Sequence, residues 1–259
     1  MTEAQIRLTV FLSVLIGMSL LEAVFPARKR VQGRPRRWFT NFGLVVIDTI
    51  AIRLLFPMIA VGAGLWAESK GWGVLNHVSL PMWLKITLAV IILDMMIYWQ
   101  HVASHHIPVL WRLHKVHHAD RDLDASSGLR FHPVEIVLSM LYKIGLVIVL
   151  GAPVLAIIIF EILLNACAVF NHANVRLPQW LDRPLRYVIV TPSLHRIHHS
   201  VVERETNSNF GFSVIWWDKI FKSYTDRPKG NLTLGLKEYQ TDAPSVSYTH
   251  LTLPTTPYV

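Results

Sequence analysis

Apolar residues in this chain come in long runs rather than in the short alternations of a soluble domain. The first run, Ile6 to Phe25, is about as long as a helix must be to cross roughly 30 Å of hydrocarbon. Basic residues follow it instead of preceding it, and no small-x-small cleavage site comes before Pro26, so it reads as a spanning helix and not as a cleaved signal peptide. The second run, Phe42 to Ala67, is interrupted by Asp48 and Arg53. Charges at membrane depth are costly and normally face a bundle interior, so these two are expected to be structural partners there. Gly71, Gly73, Asn76 and Ser79 mark a loop, and a third run covers Trp83 to about Tyr98. From Val134 to Phe170 a mainly apolar stretch of 37 residues, interrupted by Lys143, Glu161 and Asn165, is too long for one simple span at about 1.5 Å per residue. The Gly151-Ala152-Pro153 break near its middle predicts two helices going in and out as a hairpin. After Val175 Arg, Asp and Pro punctuate the chain, and aromatic residues return at Trp216, Trp217, Phe221 and Tyr224. The expectation is an all-α integral membrane protein: about four to five transmembrane or half-membrane helices under a helical, histidine-rich cytosolic cap.

Composition sharpens this. Of the 259 residues 52% are hydrophobic and 16% charged, where soluble domains carry about a quarter charged. Nine Trp and eleven Phe exclude a disordered chain. The net charge of +8 owes most to Arg28, Lys29, Arg30, Arg34, Arg36 and Arg37, a stretch without an acid between two apolar runs. That is the pattern of a cytoplasmic loop, not of a nucleic-acid face. Counting helices from it puts the 68–80 loop outside and every histidine from 101 to 199 at or beyond the cytoplasmic face of a cell or inner membrane. The single Cys167 excludes an internal disulfide.

Eleven of the thirteen histidines fall in residues 101–199, and they cluster. His101 and His105 are four apart; His114, His117 and His118 form one H-x-x-H-H; His195, His198 and His199 form a second. Residues three and four apart share a helix face, so each cluster aims two or three imidazoles at one region. Neutral imidazole suits Zn, Cu, Fe and Ni. Eight such residues exceed the four ligands of a structural zinc, which points to two metals or one elaborate site. Lone histidines such as His77, His106 and His250 have many structural uses and carry no such signal.

These motifs, in order, resemble the fatty acid hydroxylase/sterol desaturase superfamily of integral-membrane di-iron oxygenases. The resemblance runs from about Leu80 to Pro228, through Asp94-Met-Met-Ile-Tyr98-Trp99-Gln-His101, Pro108-Val-Leu-Trp111-Arg112-Leu-His114-Lys-Val-His117-His118 and Phe131-His132-Pro133-Val-Glu135. It continues through Asn171-His172, His195-Arg-Ile-His198-His199, Asn207-x-Asn209-Phe210-Gly211 and Trp217-Asp218-Lys-Ile-Phe221. What the resemblance implies is two irons in an all-histidine shell that use O2 and external electrons to hydroxylate a C–H bond of a lipid; a desaturase would use the same site. The ligands carried over are His101, His105, His114, His117, His118, His195, His198 and His199, with His172 as a further ligand and His132 as either a ligand or a group orienting one. Asp94 and Asn171 are carried over as catalytic candidates, Asp94 as the acceptor of a hydrogen bond from a ligand imidazole. Zinc can take the place of iron in purified protein, because affinity alone does not exclude it. A histidine-rich metal transporter is the rival of another class, but transporters place ligands near the bilayer midplane, whereas these clusters follow the helix ends.

The domains expected are an N-terminal transmembrane region at 1–80 with its basic loop at 27–37, a catalytic region at 81–228, and a C-terminal segment at 229–259. No cytochrome b5-like segment is visible, so electrons are expected from a separate redox partner: a reductase, ferredoxin or cytochrome. The residues from Ser245, SVSYTHLTLPTTPYV, are uncharged and aperiodic and resemble translated sequencing-adapter read-through, so 245–259 is read as non-native.

Overall fold

Residues 1–241 are described by a computed structural model of the chain. The 245–259 tail and His250 lie outside the described residues. Five stretches are helical, long and apolar enough to cross a membrane. Helix α1 (Glu3–Val24) starts at a capping box in which Thr2 and Gln5 satisfy each other's backbone N–H groups. Helix α2 (Arg34–Leu55) has Pro35 in its first turn. The run expected as one helix over 42–67 is two, α2 and α3 (Ala60–Lys70), separated by Phe56–Ile59. Pro57 has no N–H to donate and pushes Phe56 into an extended conformation, so the helix stops before it. Helix α4 (Met82–His106) outlasts the apolar run by two turns and so carries His101 and His105. Helix α5 (Pro108–His118) follows after a one-residue joint at Ile107. The expected hairpin is present as α6 (Pro133–Leu150) and α7 (Val154–His172), with Gly151 left-handed at φ 63° where the first of them ends.

Four short α-helices follow: α8 (Gln179–Leu185), α9 (Pro192–His198), α10 (Glu203–Thr206) and α11 (Trp216–Ile220). Isolated bridges pin the irregular segments between them, Pro26 to Val175, Ile189 to Val214 and Ser200 to Leu234.

The burial pattern is inverted relative to a soluble bundle. Leu8, Leu12, Ile16 and Leu20 of α1 and Ile47, Ile50 and Leu54 of α2 are exposed. Glu22, Arg37, Asn41 and Asp48 on the same two helices, Asp94 on α4 and Glu161 on α7 are buried. Such a surface suits hydrocarbon, with polar side chains turned to one another. Glu161 illustrates this, pairing with Arg7 at 2.6 Å and Lys143 at 2.9 Å. Asp48 and Arg53, by contrast, do not pair. Five residues along a helix separate them onto different faces, and Arg53 is exposed.

The two ends of the bundle differ. At one, Gly73 packs so tightly on the hairpin tip that a Cβ there would come within 2.1 Å of the Gly151 nitrogen. At the other, Glu22 near the end of α1 accepts from the backbone N–H groups of Ala125 and Asn174, at 3.1 Å each, and pairs with Arg34 of the basic loop at 2.5 Å. The ends of α4 and α7 and the start of α6 lie with it. The basic loop and the histidines thus share one end, and the 71–80 loop lies at the other.

Candidate metal centre

Nine histidines converge in two adjoining groups. His101, His105, His114, His118 and His198 form one, and His117, His172, His195 and His199 the other; within each, one ring nitrogen per residue lies within 4.8 Å of all the rest. Each H-x-x-H-H motif is divided between them. On α5, His114 and His118 share a face and go to the group of five while His117 turns to the group of four. On α9 the assignment is reversed: His195 and His199 join the four and His198 the five. His118 and His199 stack at 4.3 Å where the groups meet.

The rings are held from behind. His101 Nδ1 is 2.7 Å from the Phe210 carbonyl, His198 Nδ1 2.8 Å from that of Ser208, His117 Nδ1 3.1 Å from that of Arg130 and His172 Nδ1 2.6 Å from that of Ala168. A carbonyl only accepts, so the hydrogen on each of these rings is assigned to Nδ1 and the Nε2 lone pair is left to face the group. His114 Nδ1 meets Glu135 Oε1 at 2.6 Å and His105 Nδ1 meets Asn207 Oδ1 at 3.2 Å. The Nε2 atoms of His101, His105, His114 and His198 are buried without a partner among the described residues. In the group of four, the bare Nε2 atoms of His117 and His172 stand 3.1 Å apart, with His195 Nε2 3.0 Å and His199 Nε2 3.2 Å from that of His172. Two lone pairs at that distance repel unless a cation lies between them. The donor set therefore fits a metal ion in each group, and imidazole from nine side chains is chemistry suited to iron or zinc.

Burial favours the neutral form, which ligation requires, in five of the rings that lie outside the membrane-spanning segments. It holds His117, His118, His195 and His199 well below the ordinary histidine range and pushes His198 down to about 3.

One short segment orients most of the group of five. Asn207, Ser208 and Phe210 supply the acceptors for His105, His198 and His101. The segment is itself clamped by Asp218, whose carboxylate accepts from the N–H groups of Phe210 at 2.7 Å and Gly211 at 2.8 Å and from Ser223 Oγ at 2.6 Å. A Cβ at Gly211 would sit 2.7 Å from the Val214 carbonyl oxygen, so only glycine lets the chain pass. Burial pushes Asp218 up to about 6.

The other wall rests on α2. The Arg37 guanidinium forks onto both Asp120 oxygens at 2.8 Å and reaches Asp124 at 2.7 Å. It also donates to the Asp122 carbonyl. Burial alone would raise Asp120, but Arg37 beside it prevails and holds it down to about 2. Asn41, one turn on, bonds Ser126 and accepts from Arg130, whose Nε donates to the Val116 carbonyl and whose own carbonyl accepts from His117. Buried hydrogen bonds thus run from α2 to a ring of the group of four.

The remaining candidates lie elsewhere. His132 belongs to neither group; it caps α6, its Nδ1 accepting from the Val134 N–H at 3.1 Å. Asp94 Oδ2 accepts from Trp217 Nε1 at 2.7 Å and so fixes α11 to α4. Seven residues are two helical turns, about 10.5 Å, so its carboxylate does not reach His101. Asn171 Nδ2 donates to the Phe212 carbonyl at 2.6 Å, and the Phe212 ring lies 5.0 Å from that of His101. Trp217 is buried and its neighbour Trp216 exposed. Glu135 and Asn207, motif residues with no expected role, each hold an imidazole.

Replacing Glu135 by glutamine is expected to keep the fold but lower metal affinity about 10–100-fold, the usual cost of losing a partner behind a ligating histidine. Titrating metal-free protein with Fe(II) or Zn(II) checks this; wild-type affinity would show that the contact with His114 does not matter.

A helical bundle long and apolar enough to cross a membrane, closed at one end by two buried histidine groups, has the donor set of a membrane metalloprotein. Residues 86–223 match the family model described as Fatty acid hydroxylase, just over half of the chain, and the chain belongs to that family. It is 27% identical over 237 residues to ornithine lipid hydroxylase OlsE of Rhizobium tropici, covering 86% of this chain and 68% of that one. It is 28% identical over 127 residues to alkylglycerol monooxygenase of Homo sapiens (49% of this chain, 27% of the relative). It is also 27% identical over 192 residues to very-long-chain aldehyde decarbonylase GL1-5 of Oryza sativa subsp. indica (68% and 30%). No solved structure matches it.

Proposed function

We propose that the two histidine groups each bind one iron and that the chain hydroxylates a C–H bond of a membrane lipid, taking oxygen from O2 and electrons from a separate donor protein. The observation that carries this reading is the convergence of buried imidazole Nε2 atoms on two adjacent points. The lipid substrate is supported by the membrane-spanning helices and by relatives named as a lipid hydroxylase and an alkylglycerol monooxygenase. With iron and O2 bound, the chemistry on offer is insertion of one oxygen atom into a C–H bond, the other leaving as water with two electrons and two protons.

The chain's own part is to bind, orient and exclude water. The carbonyls of residues 130, 168, 208 and 210, with Glu135 and Asn207, fix the tautomer and tilt of six rings. Trp111, Phe131, Phe210 and Phe212 line the histidines with apolar surface. The reading is tested by supplying the iron-loaded protein with a reductase, a lipid extract and isotopically labelled O2. A lipid carrying one labelled oxygen is expected, and an unsaturated product without it would mark a desaturase. Turnover in the absence of O2 would overturn both. Zinc-loaded protein is expected to be inactive until iron replaces it.

Sidedness follows from the basic loop. By the preference of Lys and Arg for the cytoplasmic side, the histidine end faces the cytoplasm. A cysteine at the exposed Gly33 is expected to react only with cytoplasmic reagent, and one at Ser79 only from outside. Labelling of Gly33→Cys from outside would invert the orientation.

A further inference from the structure

A cavity of about 870 Å³ lies between α1, α2 and the α2–α3 break. That is the size of small-molecule pockets, about 300–1,000 Å³. Val45, Asp48, Thr49, Ile52 and Arg53 line its flank on α2, and the Phe56–Ile59 break closes one end. Pro57, Met58 and Ile59 are exposed within a stretch apolar enough to span a membrane, so this end of the cavity borders surface suited to hydrocarbon. Gly128, Leu129 and Phe131 form the other end.

That inner end is one ring's thickness from the group of four histidines. The Phe131 ring lies parallel to that of His117, at 4.6 Å and 6°. Gly128 is pressed on α7 so closely that a Cβ would come 2.5 Å from the Ala168 carbonyl oxygen and 3.1 Å from His172 Nδ1. The nine histidines themselves are nearly all buried, so a reacting carbon must come through a wall of the site. A neighbouring cavity of about 370 Å³ shares Ala4, Arg7, Ile59 and Asn165 and lengthens the space along α1.

We propose that this cavity seats one aliphatic chain of a membrane lipid, which enters sideways from the bilayer at the α2–α3 break, and that Phe131 is the positioning residue that decides which carbon is presented to the group of four. The role of Phe131 rests on the oxygenase reading; the seating of a chain does not.

The test uses the full chain, free of metal, in phosphatidylglycerol and phosphatidylethanolamine vesicles doped with a phospholipid bearing a diazirine on its acyl chain. Irradiation is expected to leave adducts on the 45–59 and 128–131 segments. Val45→Trp and Ile52→Trp, each filling the flank, are expected to cut the 128–131 adducts at least tenfold while adducts on the outward-facing Leu54 persist. Adducts confined to outward faces, or unchanged when either tryptophan is present, would overturn the seat. With iron, reductase and O2 supplied, Phe131→Leu is expected to move the inserted oxygen along the chain, an effect that general loosening of the fold would not produce. An unchanged position of oxidation would remove Phe131 from the role. Adducts as expected without any oxygenated lipid would leave the seat standing and overturn the oxygenase reading alone.

Discussion

Alanine at His198 is expected to cost the protein the metal of its five-histidine group, and alanine at His199 that of its four-histidine group. Each substitution removes an imidazole from a buried set whose nitrogens all lie within 4.8 Å of one another. Losing a group that merely holds a ligand costs about 10–100-fold in affinity or activity, and losing a ligand should cost at least as much. Metal analysis of purified variants should therefore fall from about two ions per chain towards one, with turnover abolished in both. His77→Ala, at an exposed position among the loops of the opposite end, is expected to change neither quantity. Full metal in both cluster variants would overturn the two-site assignment.

Removing the Arg37 side chain is expected to be among the most damaging changes available outside the histidines. Its guanidinium is nearly inaccessible, and so are the Asp120 and Asp124 carboxylates it pairs with. Breaking a buried ion pair from one side leaves charge without compensation and costs about 3–5 kcal/mol. Arg37→Ala should therefore lower the thermal midpoint in detergent substantially. It should also weaken metal binding, because the 120–130 segment carries the Arg130 carbonyl that orients His117. Arg37→Lys keeps the charge but not the fork that spans Asp120 and Asp124 together, and should fall between the two. Wild-type stability and metal content in Arg37→Ala would show that the network does not support the site.

Much of this was legible in the residues because it depends on local periodicity. Apolar runs longer than any buried soluble strand or helix foretold the spans, and Gly151-Ala152-Pro153 foretold the hairpin turn. Pro57 is equally visible, but hydropathy alone does not register a missing backbone donor and leaves the 42–67 run looking continuous. The histidine clusters were legible because four-residue spacing puts side chains on one face. Glu135 and Asn207 were not assigned roles: a single carboxylate or amide has no period, and each acts on a histidine 21 or 102 residues away.

The sequence by itself determined that the chain has runs long and apolar enough to cross a membrane, that its basic loop lies between two of them, and that eight histidines cluster at the spacing of a helix face. Tertiary structure alone decided how they are shared. An H-x-x-H-H motif on a helix spreads its three rings over a wide arc, so one motif cannot close on one point; two motifs on helices facing each other exchange a ring each. Which ring crosses over, whether His172 joins, and that His132 stays outside to cap α6 all depend on where α4, α5, α7 and α9 come to rest. That placement is set by contacts between residues far apart in the chain, such as Arg37 with Asp120, Asn171 with Phe212 and Asp94 with Trp217, and pairings of that range leave no periodic trace.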